Sequence, residues 1–86
     1  MKFVVRYATV PGRAADLPKV YPLHKAYLDA FEPTASIIGI GTFEDPLTNG
    51  SMAIFATLDA AQRFVAGDPF VTNGLVKPSE PVAWDG

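Results

Sequence analysis

The sequence has no cysteine. Disulfides and thiolate metal sites are therefore excluded. Histidine occurs once, at His24. Charge is sparse: nine acidic and seven basic residues in 86 give a net charge of −2. No run of lysine or arginine stands out, so the basic footprint of a nucleic-acid-binding protein is missing, as is a polybasic membrane patch. The wholly apolar runs are only a few residues long, far short of a bilayer span. The start, MKFVVRYA, has a lysine and apolar residues, but Arg6 and Tyr7 interrupt them, and the small-residue cleavage site of a signal peptide is lacking. These absences predict a cytoplasmic protein with no nucleic-acid or membrane partner.

What is present is apolar. Hydrophobic residues make up 49% of the chain and charged residues 19%, a folded composition slightly richer in apolar side chains than a small monomer needs. The length fits one domain, residues 1–86. A domain of this size buries only about 60–65% of its unfolded surface, so its stability alone is marginal.

Lys2 to Ala8 read as a strand built on Phe3, Val4, Val5 and Tyr7. Pro11-Gly12 breaks it. A helix begins between Asp16, a potential N-cap, and Pro22, and runs to Phe31 or Glu32, where Pro33 stops it. Ala35 to Phe43 form a second strand, followed by a polar connection, Glu44 to Gly50, that ends in the Asn49-Gly50 turn signal. Ser51 to Thr57 form a third strand. Thr57 then caps a second helix, Leu58 to about Gly67, which Asp68-Pro69 ends. After an Asn73-Gly74 turn, Leu75 to Trp84 is extended, with Pro78 and Pro81 confining it to a sheet edge or an irregular crossing. The order βαββαβ predicts an α+β, ferredoxin-like fold with an antiparallel sheet.

In that topology both helices cover one face of the sheet. The segments FVV, SIIGI and MAIFA place apolar side chains on both faces. A chain of this length has no third layer to spare, so a homodimer joined through the second face is expected.

Few residues are equipped for chemistry. Val20, His24, Tyr27, Leu28 and Phe31 share one helical face, so His24 lies within the apolar stripe and needs a partner for its ring N–H. On the second helix Ala61, Phe64, Val65 and Asp68 share a face. An acid at a helix C-terminus opposes the helix dipole, so Asp68 is either a helix-ending turn residue or is placed for another reason. If the helices lie side by side, Asp68 can fix the tautomer of His24 and make its other nitrogen a general base. Otherwise His24 is a core residue bonded to a backbone carbonyl. Ser51 after the turn is too common a pattern to mark a nucleophile. Arg6 either reaches solvent at the sheet edge or meets an anionic ligand group. Tyr7, Tyr21, Phe43, Phe55, Phe70 and Trp84 line a flat pocket or belong to the core and the dimer interface. One histidine with scattered carboxylates makes a poor transition-metal site, and no phosphate-binding glycine loop is present.

The stretches PLHKAYLDAF, GTFEDP and NGSMAIFATLDAAQRFVAGDPFVTNGLV resemble the YCII-related (YciI-like) family of small bacterial proteins, over nearly the whole chain. The resemblance implies a dimeric α+β barrel. It also implies an active site centred on His24 and on Asp68, the aspartate of the DPF triplet. Some relatives are linked to breakdown of chlorinated aromatic compounds. One departure stands out: longer relatives have a Gly-Pro pair and an extended loop after the second strand, where this chain has Gly41-Thr42 and the short EDPLTNG.

The expectation is thus a cofactor-free enzyme performing proton transfer or elimination on a small organic ligand, with His24 and Asp68 catalytic and Arg6, Tyr7, Ser51 and Phe70 near the pocket. The alternative is a non-catalytic small-molecule-binding or accessory module. A heme protein with His24 as axial ligand is a third possibility that no heme motif supports.

Overall fold

Alternation along the first strand divides the molecule into two faces. A computed structural model of the chain describes residues 1–31 and 36–86, so the expected helix stop at Pro33 and strand start at Ala35 lie outside the described residues. The central strand β1 (Lys2–Thr9) turns Val5 and Tyr7 into the core, where they are 0% and 6% exposed. The intervening Arg6 and Ala8 are exposed, as the two-residue period of a strand requires.

A short 3-10 turn, Ala14–Asp16, leads into helix α1 (Leu17–Phe31). The helix starts ahead of Pro22 and keeps it inside. Pro22 lacks an N–H, so the carbonyl four residues back, on Pro18, loses its intrahelical donor. Both prolines are exposed. Val20, His24, Tyr27, Leu28 and Phe31 are the half-buried face, while Lys25 and Asp29 point outward and pair with each other at 2.7 Å.

Strand β2 (Ile37–Thr42) and strand β3 (Ser51–Phe55) pair antiparallel, and β3 pairs antiparallel with β1. The connection between β2 and β3, expected as a polar segment ending in a turn at Asn49-Gly50, contains a single helical turn, α2 (Pro46–Asn49). Pro46 presets its first residue. Gly50 follows with φ +75°, and a Cβ there would stand 2.0 Å from the Tyr7 carbonyl oxygen. Only glycine fits that approach.

Helix α3 (Leu58–Gly67) begins at Thr57, whose hydroxyl accepts the Ala60 N–H at 3.1 Å. This cap contributes about 1 kcal/mol. Ala60, Ala61 and Phe64 are fully buried. Phe64 is the hub of an aromatic cluster, with its ring centroid 5.1 Å from Phe31, 5.1 Å from Tyr27 and 5.4 Å from Phe55. The Tyr27 hydroxyl donates to the Arg63 and Phe64 carbonyls at 3.1 and 3.0 Å. It adds a second donor at the end of α3, where the Phe64 carbonyl also accepts the Asp68 N–H, and ties α1 to α3.

A further turn, α4 (Pro69–Thr72), follows directly. The extended segment expected over 75–84 is two short strands, β4 (Val76–Pro78) and β5 (Val82–Trp84), both antiparallel to β1. Between them Ser79 keeps the edge bonded: its N–H donates to the Arg6 carbonyl at 2.7 Å and its hydroxyl accepts the Arg6 N–H at 2.9 Å. The break lies where Pro78 and Pro81 remove donors.

The sheet order is β2-β3-β1-β4, with β5 also on β1. This is the ferredoxin-like α+β arrangement. One face carries the helices. Register places Val4, Met52, Ile54, Val82 and Trp84 together on the other face, with Arg6 among them. Val82 is 61% and Trp84 45% exposed.

Candidate active site

The site follows from the DPF triplet. Asp68 closes α3, its N–H donating to the Phe64 carbonyl at 3.0 Å, and opens α4, its side chain accepting the Phe70 N–H at 3.0 Å. An aspartate that opposes the dipole of one helix here caps the next, where a carboxylate is favoured. The same oxygen, Oδ1, lies 2.9 Å from Nδ1 of His24. Asp68 is the one buried charged residue among the described residues. The His24 side chain is 13% exposed.

Three restraints hold the imidazole. Helix α1 carries it on its inward face. Asp68 bonds its Nδ1. The Phe70 ring stacks on it, centroids 4.3 Å apart and planes 14° from parallel. An ionised carboxylate only accepts, so the proton of this bond belongs to Nδ1 and the lone pair to Nε2. The Asp-Pro-Phe sequence thus supplies both the acceptor and the stacking partner.

His24 and Asp68 border a cavity of about 580 Å³ between the helix layer and the sheet. Its sheet side includes Tyr7, Ser51 and Thr42, and its helix side includes Leu17, Tyr21 and Leu28. Tyr7 and Ser51 are direct cross-strand partners, so they present side chains to the same side. The Tyr7 hydroxyl is buried and has no hydrogen-bond partner among the described residues. Burial, then the Asp68 charge, then Tyr27, push its pKa well above the ordinary tyrosine value. Burial and then Asp68 also raise that of Tyr27.

The structure therefore brings His24, Asp68, Tyr7, Ser51 and Phe70 to one cavity. Arg6 does not join them. It is one residue from Tyr7 and so points through the opposite face, where its guanidinium lies 4.9 Å from the centre of the Phe43 ring. There it borders a groove with Val4, Met52 and Trp84. Of the other aromatic candidates Tyr21 borders the cavity, Phe55 is fully buried in the core and Trp84 lies on the open face.

Thr42, Ile40 and Pro46 also border the cavity and were not expected there. A register irregularity between Ile37 and Gly39 brings Ile40 and Thr42 onto the helix-bearing side, and strict alternation from Ile37 would turn them away. Among the described residues no group of three or more histidine, cysteine or acidic side chains is placed to hold a metal ion. None of the described helices is long and apolar enough to cross a membrane.

The fold matches that of a known enzyme. The chain superposes on 5-chloro-2-hydroxyhydroquinone dehydrochlorinase (TftG) from Burkholderia phenoliruptrix AC1100, solved in complex with 2,5-dihydroxybenzoquinone. The TM-score is 0.76 at 26% sequence identity, over 99% of this chain and 94% of that one. TftG is thus an enzyme of nearly equal extent that acts on a small aromatic compound. No protein-family model matches the sequence, and no curated protein does.

Proposed function

We propose that this chain is a YciI-like, cofactor-free enzyme of the cytoplasm that removes a proton from a small aromatic substrate and drives its isomerisation or elimination. The observation that carries the proposal is the 2.9 Å contact between His24 Nδ1 and Asp68 Oδ1 at the wall of a cavity large enough for a single ring. His24 is the general base and Asp68 its orienting partner.

The chemistry follows from the tautomer. Nε2 takes a proton from an acidic O–H or C–H of the substrate. The electron pair left behind moves into the ring system. In an elimination the ring carbon bearing the leaving group first takes up a proton and becomes tetrahedral; loss of a second hydroxyl proton then expels the group, which departs as an anion with its bonding pair. The imidazolium formed is stabilised by the Asp68 carboxylate and returns its proton to the substrate or to water. A correctly placed base of this kind contributes roughly 10²–10⁴ in rate. The apolar cavity wall favours a planar ring, and the likeness to TftG supports an aromatic substrate.

Chloride release from 5-chloro-2-hydroxyhydroquinone tests the proposal. The wild type is expected to release chloride, and His24→Ala to lose at least about a hundredfold in rate. Undiminished release by the variant would remove His24 from the chemistry.

The proposal includes a homodimer formed through the open sheet face. Val4, Met52, Ile54, Val82 and Trp84 make an apolar surface there that none of the described helices covers. Surfaces of that kind mark association.

A further inference from the structure

The sheet wall of the cavity carries a row of hydroxyls. Ser51 on β3 is the direct cross-strand partner of Tyr7 on one side and of Thr42, on β2, on the other. Direct partners carry their side chains on one face, and all of these residues border the cavity. They are not equivalent. The Tyr7 hydroxyl is shut off from solvent, and so from anything that enters the cavity. Ser51 is half-buried and Thr42 is exposed. Neither of their hydroxyls has a hydrogen-bond partner among the described residues. Thr9, which also borders the cavity, already donates to the Pro46 carbonyl at 3.4 Å.

The spacing lets two hydroxyls meet one atom. Cβ atoms of direct cross-strand partners lie about 4.5–5.5 Å apart, and each O–H···O contact spans about 2.7 Å. The backbone under the pair is fixed. The Phe43 N–H donates to the Gly50 carbonyl at 3.0 Å, and Gly50 packs on the Tyr7 carbonyl. Chemistry in the cavity has a use for such donors. When His24 takes a proton, the electron pair left on the substrate spreads through the ring to a conjugated oxygen. The imidazolium offsets that charge on the helix side. On the sheet side Ile40 and Val76 have nothing to donate, and no lysine or arginine borders the cavity among the described residues. Donors already in place where charge develops lower the barrier.

We infer that Ser51 and Thr42 are catalytic donors: their hydroxyls converge on one substrate oxygen and stabilise the negative charge it gains as His24 removes the proton. This inference rests on the assignment of His24 as the base. No covalent bond forms or breaks at Ser51 or Thr42. The proton ends on Nε2 of His24, and the charge on the oxygen is met by two hydrogen bonds.

4-Nitrophenol is the probe for the test. Its proton leaves one end of a planar ring, the charge reaches the nitro oxygens at the other, and its colour reports the phenolate. Absorbance is followed against pH with wild type, Ser51→Ala, Thr42→Val, the double variant and His24→Ala, beside thermal unfolding of each. Bound to wild type, the probe should ionise at least about one pH unit lower than in water. Each single variant should lose part of that shift and the double variant at least about half, while Thr42→Ser keeps it. Unfolding temperatures should stay near that of the wild type, because neither hydroxyl is bonded within the fold. A full wild-type shift in the double variant overturns the donors and leaves His24 standing. If the double variant does not fold, a full shift in both single variants overturns them equally. A shift that survives in His24→Ala, or a wild type that neither binds nor shifts the probe, overturns the base assignment and the donors with it.

Discussion

His24 and Asp68 are 44 positions apart in the chain, yet their side chains meet at 2.9 Å, through the same carboxylate oxygen that caps α4. One atom thus serves the fold and the candidate chemistry together. Substitutions at Asp68 separate those two duties.

Asp68→Asn keeps an oxygen for both N–H donors but removes the charge. Stability should change by less than about 1 kcal/mol, while turnover falls by roughly 10²–10⁴. Asp68→Ala removes the cap and the acceptor, and should cost about 1–3 kcal/mol as well. Urea unfolding beside an activity assay distinguishes them. If the asparagine variant kept full activity, the carboxylate would have no part in the chemistry.

Gly50 lies against the central strand, next to the cavity residue Ser51. Its positive φ and its approach to the Tyr7 backbone leave no space for a side chain. Gly50→Ala should cost roughly 3 kcal/mol, through a clash with backbone on the central strand. A thermal unfolding curve matching that of the wild type would contradict the contact.

Alkaline pH should destabilise the protein through Tyr7. In the unfolded chain this tyrosine ionises near its ordinary value of about 10. In the folded chain burial and the Asp68 charge raise that value. Above pH 10 the folded state therefore holds more protons than the unfolded state. The stability contribution is complete below that pH and is lost as pH rises toward the folded value. Unfolding temperatures between pH 8 and about pH 11.5 should fall with increasing steepness, and Tyr7→Phe should flatten the fall. Tyr27 shifts in the same direction, so a residual slope remains. Identical slopes for the two proteins would contradict the burial of Tyr7.

The open sheet face gives a separate expectation. Ile54 stands there opposite Val4. A lysine at position 54 would place a charge in the proposed interface. Wild-type protein should sediment as a dimer at micromolar concentration and Ile54→Lys as a monomer. A monomeric wild type would leave the apolar face without the proposed partner.

Much of the site was legible because it rests on local periodicity. The stripe through Val20, His24, Tyr27, Leu28 and Phe31 follows from the helical repeat, and these residues are half-buried in the structure. Thr57 was recognisable as a cap from its place ahead of an apolar-periodic run. The second role of Asp68 was not, because α4 is one turn long and leaves no repeat to detect. Arg6 was misplaced for a related reason: its neighbour Tyr7 borders the cavity, and one step along a strand reverses the face.

The sequence by itself determined which residues share a face, since backbone geometry sets the helix and strand repeats residue by residue. It also determined, by having no cysteine, that no disulfide supports the fold. Only the tertiary structure decided which faces meet. The irregularity in β2 that turns Ile40 and Thr42 toward the helices depends on pairing with β3. The contact of His24 with Asp68 depends on how α1 docks beside α3 and α4, and docking is set by the packing of Phe31, Tyr27, Phe55 and Phe64. Such contacts are collective outcomes of the filled core, and no local stretch of sequence contains them.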